Sequence, residues 1–478
     1  MSLRRQVVSS LKWTAGTRFI GQLANWTMTL VVIRLLAPGD YGLMAMASVM
    51  TAFFAMLAEL GLGLAVVQAQ NIERARLRQV FGAVLLINSG IFLVLQLCAP
   101  LLAAFYEEAR LINVIRVLAI QFLLLATITI PSAMLQREMQ FKKLAMTEMA
   151  ASVCGNACVL IAAWQGLAVW SLVIGALTES SLKAIALTLL GPVRVLPRFS
   201  FTGTRQLFSF GGYVTLSRVL WYVMAQSDVL IAGKTLGTEL LGYYSVSIHL
   251  ASLPMQKVSV IINQVAFPAF ARLQDQSELV TRHFVRSAGL LGMVAFPVMW
   301  GISSVAPEIV AAALGEHWLP AVLPLSVLPI IIPLRLLSAF LSTTAQSVGH
   351  QNVDFRNTVT GALLMPPAFL VGSFWGLQGL LVAWVIAVPL VFALNFQRAL
   401  PILGVPLRAF LLRALFRPAL AAGVMYGSVW GARMLLPAKT LPVIGLVVLC
   451  LTGAVAYVVF TFLINREDVN DLRDFLHI

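Results

Sequence analysis

About fourteen apolar segments, each long enough to cross a bilayer, follow one another along 478 residues with little polar chain between them. A spanning helix needs about 20 mostly apolar residues. The segments are 12–36, 41–68, 80–103, 111–135, 144–164, 167–190, 207–233, 240–268, 284–313, 319–346, 356–374, 376–397, 411–435 and 441–464. Hydrophobic residues make up 60% and charged residues 11% of the chain. Soluble domains carry about 25% charged residues, so this density predicts an all-α polytopic membrane protein.

The formal net charge of +14 raises the question of nucleic acid, but the basic residues form short clusters between apolar runs, not a continuous surface. They are Arg4, Arg5 and Lys12; Arg74, Arg76 and Arg78; Arg137, Lys142 and Lys143; Arg194, Arg198 and Arg205; Arg272, Arg282 and Arg286; Arg356; and Arg398, Arg408 and Arg413. With helices alternating in direction, all of these fall on one side, and the positive-inside rule makes that side cytoplasmic, with both termini. Arg433 and Lys439 are exceptions on the outer side. Polar residues Arg18, Gln22 and Asn25 interrupt the first apolar run and no small-residue cleavage site follows, so it reads as a retained helix and not a signal peptide. Cys98, Cys154, Cys158 and Cys450 all lie in apolar stretches and read as free thiols.

Residues 200 apart match in kind: Trp13 with Tyr213, Arg18 with Arg218, Leu30 with Leu230, Arg34 with Lys234, Leu36 with Leu236 and Gly42 with Gly242. A period of that length marks two copies of one large unit. An even number of spans separates the copies, so the repeat is parallel, related by an axis along the membrane normal, an arrangement found in secondary transporters. The expected organisation is an N-lobe over 1–200, a C-lobe over 201–400, and two additional helices with a cytoplasmic tail over 401–478.

Charge inside a membrane segment is costly and points to function. Arg18, Gln22, Asn25 and Thr29 share one face of the first span; Ser245, His249, Ser252, Gln256, Ser259 and Asn263 form a similar stripe on the eighth, with Lys257 beside it. Such a stripe lines water or joins helices. Arg34 and Lys234 lie near helix ends and can snorkel to the interface. Arg218, Lys257 and Arg335 lie near mid-span, and clustered cations suit a phosphate or pyrophosphate ligand. Glu59, Glu179 and Asp228 are the intramembrane carboxylates, candidates for a proton or sodium coupling site or for neutralising a neighbouring arginine. Pro254, Pro268, Pro297, Pro329 and Pro333 are expected to bend their helices.

No enzyme signature is present: the chain has no phosphate-cradling loop, no HExxH and no loop long enough for a nucleotide-binding domain. A non-enzymatic transporter without a bound cofactor is expected.

The stretch from Leu11-Lys12-Trp13 through Arg34-Leu35-Leu36-Ala37-Pro38-Gly39-Asp40-Tyr41-Gly42-Leu43, then Glu59-Leu60-Gly61-Leu62-Gly63 with Val67-Gln68, resembles bacterial polysaccharide flippases of the MATE-like exporter superfamily. The branch it looks most like exports colanic, teichuronic and xanthan-type repeat units. Ser227-Asp228, Gly233-Lys234-Thr235-Leu236-Gly237, Leu241-Gly242-Tyr243-Tyr244, Val265-Ala266-Phe267-Pro268 and Leu314-Gly315-Glu316-His317-Trp318 resemble the same family.

The resemblance implies two six-helix lobes plus two C-terminal helices. It also implies flipping of an undecaprenyl-pyrophosphate-linked oligosaccharide across the bacterial cytoplasmic membrane, beside a polysaccharide polymerase and export machinery. By position, Arg18, Gln22, Asn25, Arg218, Gln256, Lys257 and Arg335 would line the substrate cavity, and the last two helices would shelter a polyprenyl tail. The rival readings are a lipid II flippase, a cation-coupled drug exporter, whose organic cations an Arg/Lys cavity would repel, and a non-transporting scaffold.

Overall fold

The structure is a computed structural model, and it describes residues 25–59, 63, 66–67, 73–191, 196–199, 205–261, 266–437 and 441–464. Among these no strand occurs. Hydrocarbon offers backbone N–H and C=O groups no water, so helices that satisfy them internally are the solution open to such a sequence.

Helix α1 occupies 25–35, followed by α2 (Pro38–Glu59), α3 (Arg74–Tyr106), α4 (Leu111–Arg137), α5 (Phe141–Trp164) and α6 (Val169–Leu190). Helix α7 (Arg205–Ile261) is broken at Gly237, where φ 76° and ψ −179° reverse the chain. Glycine takes that conformation without a Cβ clash. The expected segments 207–233 and 240–268 thus both fall in α7, whose two arms join at Gly237 and whose second arm is described to Ile261. Then come α8 (Phe267–Arg272), α9 (Ser277–Ser304), α10 (Glu316–Ser347), α11 (Gln351–Ser373), α12 (Gly376–Ile402), α13 (Leu407–Leu435) and α14 (Pro442–Ile464). Ten of the described helices are long and apolar enough to cross a membrane: α2 to α6, α9, α10, α12, α13 and α14. The expected first span is described only from residue 25.

The chain divides into two compact units, one of Met1–Tyr222 with Gly237–Glu239, the other of Val223–Leu236 with Leu240–Ile478. In the first unit, one carboxylate organises two helix starts. Asp40 is 8% exposed; its Oδ2 accepts the Ala37 N–H at 3.2 Å and its Oδ1 accepts the Val169 N–H at 3.1 Å. With Pro38 at the first helical position, this is half of a capping box for α2, and the same side chain caps α6. Small residues let α5 and α6 approach: a Cβ on Gly155 would stand 3.1 Å from the Gly175 carbonyl oxygen, and one on Gly175 would stand 3.2 Å from that of Gly155. The turn after α3 is closed by Glu108, which accepts from Arg110 Nε at 2.9 Å and Nη2 at 2.8 Å. That bonding holds the Glu108 carboxyl below its ordinary range.

In the second unit, a phenylalanine cluster joins four helices. Phe284 of α9 stacks on Phe340 of α10 at 5.2 Å, and Phe410 of α13 stacks on Phe396 of α12 at 4.6 Å. Helices α11 and α12 meet at a close backbone approach: a Cβ on Gly379 would lie 2.1 Å from the Gly372 carbonyl oxygen, and one on Gly372 would lie 2.4 Å from that of Gly379. Arg433, an exception to the basic-side pattern, is neutralised: Nε and Nη2 donate to Glu308 at 2.8 and 2.7 Å, and Nη2 also donates to the Ser304 carbonyl. This clamp fastens α13 to the end of α9.

Large apolar side chains on the membrane-crossing helices, such as Leu97, Leu101, Ile386 and Leu451, stand more than half exposed. Their surroundings are hydrocarbon, so the exposure costs nothing there.

Gly379→Val should lower the melting temperature of the detergent-solubilised protein, because the overpacked contact costs about 1–3 kcal/mol and the obstructing Gly372 carbonyl is backbone. An unchanged melting curve would show that the α11–α12 approach opens freely. Glu308→Ala and Arg433→Ala should each destabilise by about 1.5–3 kcal/mol, while the double variant should cost little more than either alone. Additive losses would mean that the two side chains act separately.

Candidate functional site

The hairpin at Gly237 lays the two arms of α7 side by side and so pairs Asp228 with Tyr244, 16 residues on. Asp228 is 2% exposed and Tyr244 fully buried. The Tyr244 hydroxyl donates to Asp228 Oδ2, and it accepts the Trp384 Nε1–H of α12 at 2.7 Å. Over the Trp384 ring lies the guanidinium of Arg335 from α10, its Cζ 4.8 Å from the ring centroid. Arg335 is exposed, whereas Trp384 is 3% exposed and further held by Phe369 of α11, with ring centroids 5.1 Å apart. Two donors, the Trp384 N–H and the Tyr244 hydroxyl, thus run in one direction toward a buried carboxylate, with a cation on the indole face. Asp228 Oδ1 has no hydrogen-bond partner of good geometry among the described residues, although the backbone N–H groups of Val229 and Asp228 also act on the carboxylate. A buried carboxylate with an open oxygen is suited to take a proton or a small cation.

Neighbouring packing fixes this arrangement. The Gly315-Glu316-His317-Trp318 stretch turns at Gly315, where φ is 96°, and buries Trp318 against Tyr243, ring centroids 5.8 Å apart and nearly perpendicular. Ser247 donates to the Tyr243 carbonyl at 2.7 Å and to that of Ala321 at 3.1 Å. The buried face of this arm therefore carries Tyr244, Ser247, Ala251 and Met255, whereas Ser245, His249 and Ser252 of the polar stripe lie on the more open face.

In the first unit, Asn25 is drawn into helix contact. It donates to Ser152 Oγ at 3.4 Å, and its Oδ1 accepts from Asn156 Nδ2 at 3.1 Å, both on α5. Thr29 donates to the Asn25 carbonyl at 2.8 Å. This end of the first stripe joins helices. Glu179 pairs with Lys183 on the next turn of α6 at 2.6 Å, an internal ion pair and not a contact to a distant arginine. Arg34 and Lys234 are exposed near helix ends.

Arg18, Gln22 and Asn263 lie outside the described residues, as do the side chains of Glu59, Arg218, Gln256, Lys257 and Ser259. Of the expected site, Asp228 and Arg335 are brought into one cluster. Tyr244 and Trp384 complete it, although sequence reasoning passed over both as site residues. Tyr244 was legible only within the Leu241-Gly242-Tyr243-Tyr244 resemblance to the family; Trp384, in an uninterrupted apolar helix, carried no signal.

A profile of the polysaccharide biosynthesis protein family matches residues 31–323. The teichuronic acid biosynthesis protein TuaB of Bacillus subtilis is 26% identical over 389 residues, covering 81% of this chain and 80% of that protein. The lipopolysaccharide biosynthesis protein WzxC of Escherichia coli is 25% identical over 380 residues, covering 78% and 76%. Among solved structures, the lipid II flippase MurJ superposes with a TM-score of 0.78 at 13% identity, over 95% of this chain and 99% of that one. A multidrug-resistance MATE transporter of the MOP superfamily gives 0.64 at 14%, over 80% and 94%. The fold is therefore that of MATE-like transporters, and the chain is a multi-pass membrane protein belonging to the polysaccharide biosynthesis protein family.

Proposed function

We propose that this protein is a flippase moving undecaprenyl-pyrophosphate-linked oligosaccharide repeat units from the cytoplasmic to the periplasmic leaflet of a bacterial inner membrane, for exopolysaccharide or O-antigen assembly. The observation that carries the reading is the family match, joined by relatives named for teichuronic acid and lipopolysaccharide biosynthesis over about four-fifths of both chains. Both termini are cytoplasmic in this reading, because the basic loops share that side. The two lobes alternate access to a cavity between membrane leaflets, and no cofactor takes part.

Cations bind the pyrophosphate. Arg18, Arg218, Lys257 and Arg335 supply them, with Gln22 and Gln256 offering hydrogen bonds to phosphate or sugar. Arg335 is the member of this set whose surroundings are defined: an exposed fork resting on an indole. Arginine there grips phosphate oxygens bidentately. Glu59, Glu179 and Asp228 are the coupling candidates, and Asp228, buried with an open oxygen, fits the role best. A polysaccharide polymerase and export machinery receive the product.

The MurJ likeness raises lipid II as the second substrate class. A clean deletion separates the two: loss of surface polysaccharide with normal growth supports the repeat-unit reading, whereas arrested wall synthesis points to lipid II.

Arg218→Ala, Lys257→Ala and Arg335→Ala should each reduce translocation of lipid-linked oligosaccharide in reconstituted vesicles about tenfold or more, with insertion and melting unchanged. Parent-level flux in all three would remove them from the binding site. Glu59→Gln or Asp228→Asn should flatten the response of flux to an imposed proton or sodium gradient, and a full response in both variants would leave those carboxylates structural.

A further inference from the structure

Two groups of opposite charge sit at the ends of one hydrogen-bonded aromatic chain in the second unit. At the closed end, Asp228 accepts the Tyr244 hydroxyl; at the open end, Arg335 lies against the Trp384 ring. Between them the Trp384 N–H donates to Tyr244 at 2.7 Å. Each donor in such a series polarises the next, and the effect is larger where the dielectric is low. With Asp228 ionised, Tyr244 and the indole N–H are pulled toward the carboxylate, the indole face gains electron density, and the guanidinium is held on it. The same negative charge repels any anion approaching Arg335.

Neutralising Asp228 reverses both effects. The pull through Tyr244 weakens, the hold of the ring on Arg335 slackens, and the repulsion of an incoming phosphate disappears. Among the described residues, Tyr244 on the facing arm and Arg335 on α10 are the titratable or charged groups acting on Asp228, and α12 contributes the neutral Trp384. His249, on the same arm as Tyr244, lies on the more open face.

We infer that Tyr244 and Trp384 are positioning residues that couple the two ends, so that a cation on Asp228 raises the affinity of Arg335 for a phosphate oxyanion. The inference rests on the reading of Arg335 as a pyrophosphate ligand. Coupling of this kind is reciprocal: bound phosphate must favour the cation on Asp228 by the same factor. Cation and lipid-linked substrate then load together, and the coupling needs no contact between them.

The test uses the full chain in nanodiscs, labelled with 5-fluorotryptophan, with the Trp384 fluorine resonance assigned through Trp384→Phe and inorganic pyrophosphate as the probe. Asp228→Asn should shift the Trp384 resonance without ligand and tighten pyrophosphate binding about fivefold. In a Tyr244→Phe background, which keeps the ring and removes the link, Asp228→Asn should leave the resonance in place and change affinity less than twofold. Acidification without sodium and addition of sodium at alkaline pH form separate arms. Whichever reproduces the Asp228→Asn affinity identifies the cation, and failure of both overturns the inference. A full fivefold effect persisting in Tyr244→Phe also overturns it, because the charge would then act through space alone. Arg335→Gln tests the underlying reading by itself: undiminished pyrophosphate binding there removes Arg335 as ligand, while the ligand-free Trp384 shift still reports whether the chain transmits.

Discussion

Every backbone N–H and C=O in hydrocarbon must be satisfied from within the protein, and the form of the molecule follows from that demand. Helix interiors meet it automatically; helix ends do not. The fold therefore concentrates its specific chemistry at ends and breaks. Asp40 serves the N–H groups at the starts of both α2 and α6. Gly237 reverses α7 through a single residue and leaves both arms helical on either side. Where helices run side by side, glycines at 155 and 175 and at 372 and 379 let carbonyl oxygens lie against a neighbouring backbone. Close approach raises dispersion contact, the chief attraction left to helices when lipid is as apolar as leucine.

Against that frame of satisfied groups, an unsatisfied one carries meaning. Asp228 Oδ1 lies in the packed interior of the second unit without a well-aligned donor, although its partner oxygen is served by Tyr244. Burying a carboxylate in this way is expensive unless something neutralises it. The same cluster ends in Arg335, which is exposed. An ionisable pair thus spans from a dry interior to an open face, a disposition that helix packing alone does not require.

Much of the fold was legible because its signal is long: a run of about 20 apolar residues is hard to mistake. The arrangement at Gly237 was partly legible, since one expected segment ends at 233 and the next begins at 240, but the shortness of the turn was not, because a loop and a one-residue reversal share the same composition. Asp228 and Arg335 stood out as charges in apolar sequence. Trp384 did not, for an indole in an apolar helix reads as core, and its bond to Tyr244 joins residues 140 apart. The stripe on the first span was read as a unit, yet Asn25 proves to hold α1 to α5 through Ser152 and Asn156. Hydrogen bonding between helices and lining of water use the same residue types, so spacing alone does not separate them.

The clamp between Arg433 and Glu308 bears on how the chain is made. A lone arginine at the trailing end of a hydrophobic segment biases that segment to insert the other way round during synthesis. Glu308 lies 125 residues earlier, so its carboxylate has already been synthesised when Arg433 leaves the ribosome. The clamp thus gives Arg433 a counter-charge that its own helix, which has no acidic residue, does not supply. Through it the last turn of α13 depends on a carboxylate 125 residues earlier in the chain, just beyond the end of α9.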